Sequence, residues 1–272
     1  TKTRQPWFGC ACCPSNLCRF IPSVPGYLYG VKDNNIYVNL FAGNTSTIKV
    51  QGKDVVLEET TEYPWNGDIK ISVKKSGVKN ANLLVRIPGW ARNQVVPSDL
   101  YKYSDAEKPA YTVTVNGKAV EADLDANKGY LPVKNIKKGD VIRIHFDMPI
   151  RTVVANNKVA DDKGKVAVER GPLVYCAEAA DNNNEPVLRA VMAKKPTFTL
   201  VDNYSIQNTE TKGAPAFSVK AIKTDAQVLE EGANGISVKN DKLTLIPYYA
   251  WNHRGANEMN VWFIQSLSML DK

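Results

Sequence analysis

The sequence lacks any apolar run that approaches the roughly 18 residues a membrane-crossing helix needs. We therefore expect no membrane span. No positively charged leader with an apolar core follows Thr1, which is itself not a methionine. We expect the chain to be a piece of a longer or processed protein, so the missing leader says nothing about its compartment.

A basic face is also missing. The chain has 35 lysines and arginines against 28 aspartates and glutamates, a formal net charge of +7, but these cations are scattered. The densest clusters are only pairs, such as Lys137-Lys138 and Lys194-Lys195. A nucleic-acid-binding domain normally concentrates cations on one face, with aromatic side chains between them. The pattern therefore predicts a solvated, lysine-rich surface and no nucleic-acid partner.

Helical periodicity is scarce, which argues against a fold of alternating strands and helices. Short runs with period-two alternation dominate instead, separated by Gly, Asn, Asp and Pro. One such run, 111–115, stops at Asn116-Gly117, a strong signal for a two-residue hairpin. The best helix candidate is 14–23, where Pro14 can occupy the first helical turn.

These patterns predict an all-β fold of two β-sandwich (jelly-roll-like) domains with a short N-terminal helix. We place the helix and a cluster of cysteines in residues 1–27. The first β-sandwich is expected over 28–150 and the second over 151–272.

Cysteine is sparse but unevenly placed. The chain has five, and three of them, Cys10, Cys12 and Cys13, lie in the stretch WFGCACCPSN. A disulfide-stapled domain normally has an even number spread through the chain. Cys18 and Cys176 stand alone in apolar settings, and we predict that both are buried structural thiols.

The cysteine cluster has three interpretations. A disulfide between adjacent or nearly adjacent cysteines would be strained. The thiols could instead be free and structural, or they could bind a metal, since thiolates are preferred ligands of zinc. The spacing is not that of a zinc finger, and a tetrahedral site would need at least one more ligand. The two histidines, His145 and His253, are each expected to belong to their own strand or loop.

The cysteine-rich segment WFGCACCPSNLCRFIPSVPGYLY resembles the region around the active-site cysteines of glycoside hydrolase family 127. This is the β-L-arabinofuranosidase family, once classed as a domain of unknown function. Further stretches resemble the downstream part of the same family: LLVRIPGWA (83–91), VTVNGK (113–118), GYLPVKNIKKGDVIRIHFDMPIR (129–151), VAVERGPLVYCAE (166–178) and LIPYYAWNHRGANEMNVWF (245–263).

The resemblance implies a specific site. Family members hold the active site in an N-terminal (α/α)6 barrel that is followed by β-sandwiches. The first cysteine of the Cys-Cys-Pro motif is the nucleophile, and both cysteines bind zinc with a glutamate and a third cysteine of the barrel. A further barrel glutamate is the acid/base, and the reaction retains the anomeric configuration. Cys12 would thus be the nucleophile and a zinc ligand, and Cys13 a second zinc ligand.

The matching barrel is missing from this sequence, so residues 1–27 would be the end of the catalytic region. The full-length parent would be a zinc-dependent hydrolase of arabinose-containing glycans, with its own N-terminal barrel as an intramolecular partner. We expect the isolated fragment to be inactive. Cys10 has no family role and remains an alternative ligand. Intact thiols suit a reducing compartment, but metal coordination could protect them in a secreted or periplasmic enzyme. The location is therefore open, with a periplasmic or secreted one slightly favoured over a cytoplasmic one.

A non-catalytic module is the alternative from another class. Trp251 lies with His253 and Arg254 in a loop-like segment and is the candidate sugar-binding residue, because function concentrates in loops. Aromatic side chains of alternating strands more often fill sandwich cores, however. An oligomerisation role is a further alternative, because free sheet edges can pair, and it would make the chain a homodimer.

Overall fold

The computed structural model describes residue 4 and residues 9–193, 195–201, 204, 206, 215–228 and 234–266. The chain divides into two compact units. The first unit comprises Gln5–Arg92 and Lys108–Met148, and the second comprises Thr1–Arg4, Asn93–Glu107 and Pro149–Lys272. In the described part, no helix is both long and apolar enough to span a membrane.

The structure is mostly β. The helices are α1 (Cys12–Ser23) and α2 (Pro25–Leu28), with short 3-10 turns at Gly89–Arg92, Ala160–Asp162, Ala179–Asp181 and Tyr248–Ala250. The strands are β1 (Tyr29–Lys32), β2 (Asn35–Val38), β3 (Asn44–Val50), β4 (Lys53–Thr61), β5 (Asp68–Ser76), β6 (Asn82–Arg86), β7 (Tyr101–Tyr103), β8 (Tyr111–Val115), β9 (Lys118–Ala119), β10 (Tyr130–Val133), β11 (Val141–Phe146), β12 (Ile150–Ala155), β13 (Lys165–Arg170), β14 (Leu173–Glu178), β15 (Val191–Met192), β16 (Phe198–Val201), β17 (Ala216–Val228), β18 (Asn234–Pro247), β19 (Met259–Asn260) and β20 (Phe263–Ile264).

The predicted N-terminal helix is present as α1, two residues longer at its start than the sequence indicated. Pro14 lies in its first turn, as expected, because the missing N–H has no helical partner there. Pro22 lies inside the helix and Pro25 follows its end. No residue of α1 is buried, and its apolar side chains Phe20 and Ile21 are more than half exposed.

The first unit contains two sheets. A four-stranded sheet has the order β1-β2-β6-β10, with β2 and β6 parallel. A six-stranded sheet has the order β3-β4-β5-β11-β8-β9, and all its pairings are antiparallel. Period-two alternation places one face of each long strand in the interior. The buried side chains of β4, β5 and β11 are Val55, Leu57, Ile69, Ile71, Val73, Ile142, Ile144 and Phe146, with Glu59 among them.

The predicted hairpin at Asn116-Gly117 is confirmed. These two residues join β8 to β9 and have φ angles of +50° and +82°, the left-handed region that a two-residue turn requires. The side chain of Asn116 also accepts a hydrogen bond from the Val141 backbone and donates one to Asp140. The turn is therefore held to the start of β11.

The predicted fold class is wrong in one respect. The protein is mostly β, but six strands of the second unit form a closed β-barrel in the order β13-β14-β18-β17-β15-β20, which the pairing of β13 with β14 closes. The fold is therefore not purely two β-sandwich domains. Period-two alternation reveals which face of a strand is buried, but not what covers that face. A sheet that curls on itself covers it with its own opposite strands, whereas a sandwich uses a second sheet. Both arrangements give the same sequence pattern.

The second unit is built on one ten-stranded sheet of order β19-β14-β18-β17-β15-β20-β13-β12-β7, with β16 paired to β17. Its longest pairing joins β17 and β18, from Phe217 opposite Leu245 to Val228 opposite Asn234. The Tyr175 ring packs against Phe217 with centroids 5.0 Å apart, and its hydroxyl donates to the Pro215 carbonyl. Tyr175 on β14 therefore packs against β17 in the core of the second unit.

The segment 93–107 belongs to the second unit, although the sequence placed it within the first sandwich. Its strand β7 pairs with β12. The buried guanidinium of Arg151 on β12 donates to Asp105 at 2.6 Å and to Asn93 at 2.6 Å, and it lies 3.5 Å from the Tyr103 ring centroid. The domain bounds at 27/28 and 150/151 remain predictions.

Candidate active site

The cysteine cluster lies at the start of α1. Cys12 and Cys13 are the first two residues of the helix, and Cys10 precedes it by two positions. The Sγ atoms of Cys10 and Cys12 are 3.3 Å apart, and those of Cys12 and Cys13 are 3.8 Å apart. All three thiols are free and exposed, so the disulfide interpretation has no support in the structure.

The spacing of Cys12 and Cys13 fits two ligands of one zinc ion. Two thiolates on a tetrahedral zinc, each about 2.3 Å from the metal, lie about 3.8 Å apart. The observed separation of 3.8 Å between these two Sγ atoms requires no rearrangement to meet that geometry. Among the described residues, however, no group of three or more His, Cys, Asp or Glu side chains is placed to hold a metal. Cys12 and Cys13, as two sulfur ligands, do not by themselves complete a tetrahedral site.

The two isolated cysteines differ in their surroundings. Cys176, on β14, is fully buried, and this burial together with nearby Glu178 and Asp181 holds its pKa well above the usual range. A buried, neutral thiol is inert, so the prediction for Cys176 is confirmed. The prediction for Cys18 is wrong, because Cys18 lies on α1 and is exposed. The apolar neighbours that suggested burial, Phe20 and Ile21, are exposed themselves.

The two histidines lie in their own strand and loop, as predicted. His145 is on β11, with Nδ1 2.7 Å from Asp68 and Nε2 3.2 Å from Asp147. The hydrogen bond to Asp68, followed by that to Asp147, raises the pKa of His145. His253 follows the 3-10 turn Tyr248–Ala250 and lies outside the strands.

Trp251 is half-buried and packs against a small core that includes Cys176 and Ile246. Its ring stacks on Tyr248, with centroids 6.0 Å apart and planes at 28°. The Arg4 guanidinium lies 5.9 Å from the Trp251 ring centroid and donates to the Trp251 and Tyr249 carbonyls. The ring therefore contributes to packing, and a sugar-binding role for Trp251 stays a prediction.

A buried ionic cluster next to Trp251 escaped the sequence analysis. The Arg254 side chain donates hydrogen bonds to both Glu178 and Asp181, whose side chains are essentially inaccessible to solvent. Glu178 also accepts from the Asn252 backbone and the Asn257 side chain. These charge-assisted bonds raise the pKa of Arg254 further, with Asp181 the largest contributor. The cluster fixes the loop after β18 to the end of β14.

A second buried carboxyl group was also missed. Glu59, on β4, is 3% exposed and accepts hydrogen bonds from the Tyr29 hydroxyl at 3.1 Å and the Ala42 backbone at 3.0 Å. Burial raises its pKa to about 7. The neighbouring Glu58 faces the other side of the strand and pairs with Lys74. Adjacent residues of a strand face opposite sides, so these two carboxyl groups do not form an acid/base pair.

Two family profiles match the chain. The β-L-arabinofuranosidase GH127 middle domain matches residues 35–148, and the glycoside hydrolase family 127 C-terminal domain matches residues 150–264. Together they account for most of the sequence. The chain therefore belongs to glycoside hydrolase family 127.

Individual relatives agree with this assignment. A non-reducing end β-L-arabinofuranosidase from Bifidobacterium longum is 32% identical over 270 residues, which cover 95% of this chain and 38% of that protein. A solved GH127 β-arabinofuranosidase superposes with a TM-score of 0.84 at 46% identity, covering 98% of this chain and 40% of its own. A GH127 β-L-arabinofuranosidase from Geobacillus stearothermophilus T6 gives a TM-score of 0.78 at 29% identity. This match covers 98% of this chain and 39% of that one. The chain spans about two fifths of these relatives' length.

Proposed function

We propose that this chain is the C-terminal portion of a retaining, zinc-dependent glycoside hydrolase that cleaves arabinofuranosides with Cys12 as nucleophile. Family membership supports a glycoside hydrolase, and the relatives named above are β-arabinofuranosidases. The 3.8 Å separation of the Cys12 and Cys13 sulfur atoms is the observation that carries the site assignment.

Cys12 and Cys13 would hold the zinc ion, with the remaining ligands supplied by the rest of the enzyme. When bound, zinc keeps coordinating sulfur in the thiolate form at neutral pH. The Cys12 sulfur would then attack the anomeric carbon, forming a carbon–sulfur bond as the bond to the leaving oxygen breaks. A carboxylic acid elsewhere in the enzyme would protonate that oxygen.

Water would complete the reaction by attacking the same carbon, displacing the Cys12 thiolate and leaving its own proton on the conjugate carboxylate. Two successive inversions retain the anomeric configuration. In this scheme sulfur replaces the nucleophilic carboxylate that most retaining glycosidases use. Cys13 would act through the metal alone and would not touch the substrate.

The exposed apolar residues near the cysteines support an intramolecular partner for this region. In the described part of the first unit, the large hydrophobic side chains exposed by more than a third all fall within residues 17–40: Leu17, Phe20, Ile21, Tyr27, Val31 and Leu40. An apolar surface this concentrated favours a covering partner. We propose that the N-terminal barrel of the parent packs here, and that the isolated 272-residue chain is inactive without it.

The test uses the full-length parent enzyme and an aryl β-L-arabinofuranoside. Cys12→Ser is expected to lower kcat by about a thousandfold or more, because a serine hydroxyl is neither a comparable nucleophile nor a zinc ligand. Cys13→Ser is expected to lower both bound zinc and activity. Cys18→Ser changes an exposed thiol of the same helix and should leave both unchanged.

Metal content measured on the same preparations separates the two proposed roles. A parent enzyme without bound zinc, or one that keeps its turnover after Cys12→Ser, would contradict the proposal. Release of arabinose by the 272-residue chain alone would contradict its proposed inactivity while leaving the role of Cys12 intact.

A further inference from the structure

We propose that a polar groove on the solvent side of the six-stranded sheet binds a carboxylate-bearing sugar, a uronic acid residue of a glycan. The groove has a volume of about 370 Å³ and crosses β4, β5, β11 and β8. Only the assignment of the ligand as a glycan rests on the proposed function. The binding of an anion rests on the charges in the groove.

The strand register arranges four side chains in a row across the groove. Thr60 on β4 lies opposite Lys70 on β5. Lys70 lies opposite Arg143 on β11, and Arg143 lies opposite Thr114 on β8. The residues that flank them along β5 and β11, such as Ile69 and Ile144, are buried. Since alternate residues of a strand face opposite sides, the four polar side chains share the solvent face.

The centre of this row places two positive charges directly opposite each other. Like charges at such a cross-strand pair are destabilising. Two carboxylates on the same face are engaged elsewhere: Glu58 with Lys74 at 2.7 Å, and Asp68 with His145 at 2.7 Å. Across the described residues, neither Lys70 nor Arg143 makes an ion pair or a side-chain hydrogen bond. An anion bound between them would remove the repulsion.

The lining indicates the kind of anion. The Arg143 guanidinium presents a planar set of donors that matches a carboxylate, and Lys70 adds a compact positive charge. Thr60 and Thr114 flank the cations with hydroxyl groups that both donate and accept hydrogen bonds, as sugar hydroxyls require. The volume lies at the lower end of the range for small-molecule sites. One or two sugar residues fit this arrangement, with one carboxylate at the centre of the row.

The groove is also polarised along the strands. The next side chains on the same face towards one end are Thr112, His145 and Asp68, which also line it. Asp68 and, beyond it, Asp147 place negative charge at this end. A carboxylate would be repelled there, so we expect sugar hydroxyl groups to lie over Thr112 and His145, and any second carboxylate of the ligand to point away from this end.

The test is calorimetric titration of the 272-residue chain with digalacturonate at low salt. We expect measurable binding that weakens as salt is added, because both cations lie on the solvent face, where salt screens them. Arg143→Gln and Lys70→Gln should each weaken binding about tenfold or more, the usual effect of losing a charge-assisted hydrogen bond. Lys118→Gln is the matched control, an exposed lysine of the same sheet outside the groove, and should bind like the wild type.

Two comparison ligands define the chemistry. Arabinobiose, of similar size and without charge, is expected to bind at least about tenfold more weakly than digalacturonate. Inorganic phosphate tests the charge alone. Thr114→Val removes a hydroxyl and no charge, so it should weaken the binding of digalacturonate and leave any binding of phosphate unchanged. Thermal unfolding of each variant verifies that it is folded before titration.

Absence of digalacturonate binding, or equal binding by folded Arg143→Gln, would overturn the inference. Phosphate binding as tight as that of digalacturonate, with the same dependence on Arg143, would show a simple anion site and overturn the glycan assignment. Cys12→Ser is expected to bind digalacturonate normally. A negative result for binding in the groove therefore does not contradict the Cys12 mechanism. A negative result for the Cys12 mechanism likewise does not contradict anion binding in the groove.

Discussion

Glu59 is a buried carboxyl group, and we predict that its ionisation destabilises the fold as pH rises to neutrality. The perturbation is Glu59→Gln, which keeps the shape of the side chain and removes its titration. In the wild type the carboxyl group is 3% exposed, and its hydrogen bonds from Tyr29 and Ala42 only partly offset the cost of burying a charge. Its pKa therefore rises from 4.5 to about 7.

The sign and size of the effect follow from this shift. A raised carboxyl pKa means that the folded state holds the proton more tightly than the unfolded state. Protonated Glu59 contributes its full stability below pH 4.5, the unfolded value, and loses it as pH rises through 7. At 1.36 kcal/mol per pKa unit, the shift corresponds to about 3 kcal/mol.

The assay is urea unfolding of the wild type and the variant at several pH values between 4.5 and 8. The free energy of unfolding of the wild type minus that of Glu59→Gln is expected to fall by up to about 3 kcal/mol across this range. Glu58→Gln is the matched control on the exposed face, where the loss of its surface pair with Lys74 should cost at most about 1 kcal/mol. A wild-type-minus-variant difference for Glu59 that is constant, or that grows with pH, would refute the reasoning.

Two further predictions concern the second unit and the thiols. Arg254→Met should lower the free energy of unfolding by about 3–5 kcal/mol, because it leaves the buried carboxylates of Glu178 and Asp181 without their cation. Urea unfolding measures this loss, and a loss under about 1 kcal/mol would contradict it. Iodoacetamide should alkylate the four exposed thiols of the native chain and spare Cys176, as mass spectrometry of the peptides would show. Native labelling of Cys176 at the rate of Cys18 would contradict its burial.

The strands and the helix were readable from the sequence because their signals are local. The run 111–115 and the turn Asn116-Gly117 carry their own hairpin signal, and the structure has that hairpin. The helix over 14–23 was marked by Pro14, which can occupy a first helical turn, and the structure has a helix there. Closure of the six-stranded barrel in the second unit depends instead on curvature and on which distant strands pair, such as β13 with β14, and period-two alternation carries neither.

The assignment of 93–107 illustrates the same limit. Its attachment to the second unit depends on Arg151, whose partners Asn93 and Asp105 lie more than forty positions away. Such a pairing leaves no periodic trace in the sequence. Cys18 shows a different limit, since apolar neighbours predict burial only when the helix that carries them is itself covered.

The candidate site was predictable only in part. The Cys12–Cys13 pair was visible from its spacing and its resemblance to the family, and the structure brings the two sulfur atoms to a separation suited to a metal. Glu59 and the Arg254 cluster could not be identified from the sequence. The sequence pattern around a carboxylate in a strand is the same whether the carboxylate is buried or exposed to solvent. The groove could not be predicted from the sequence either, because only the strand register shows that Lys70 and Arg143 lie opposite each other.

The most direct test of the central claim is to locate the covalent intermediate on the full-length parent enzyme. The enzyme would be quenched during turnover of an activated, fluorinated arabinofuranoside, digested with trypsin and analysed by fragmentation mass spectrometry. We predict a single pentosyl adduct in the peptide of residues 5–19, on the sulfur of Cys12, and no adduct in Cys12→Ser. An adduct on any other residue, or an unchanged adduct in Cys12→Ser, would contradict the account.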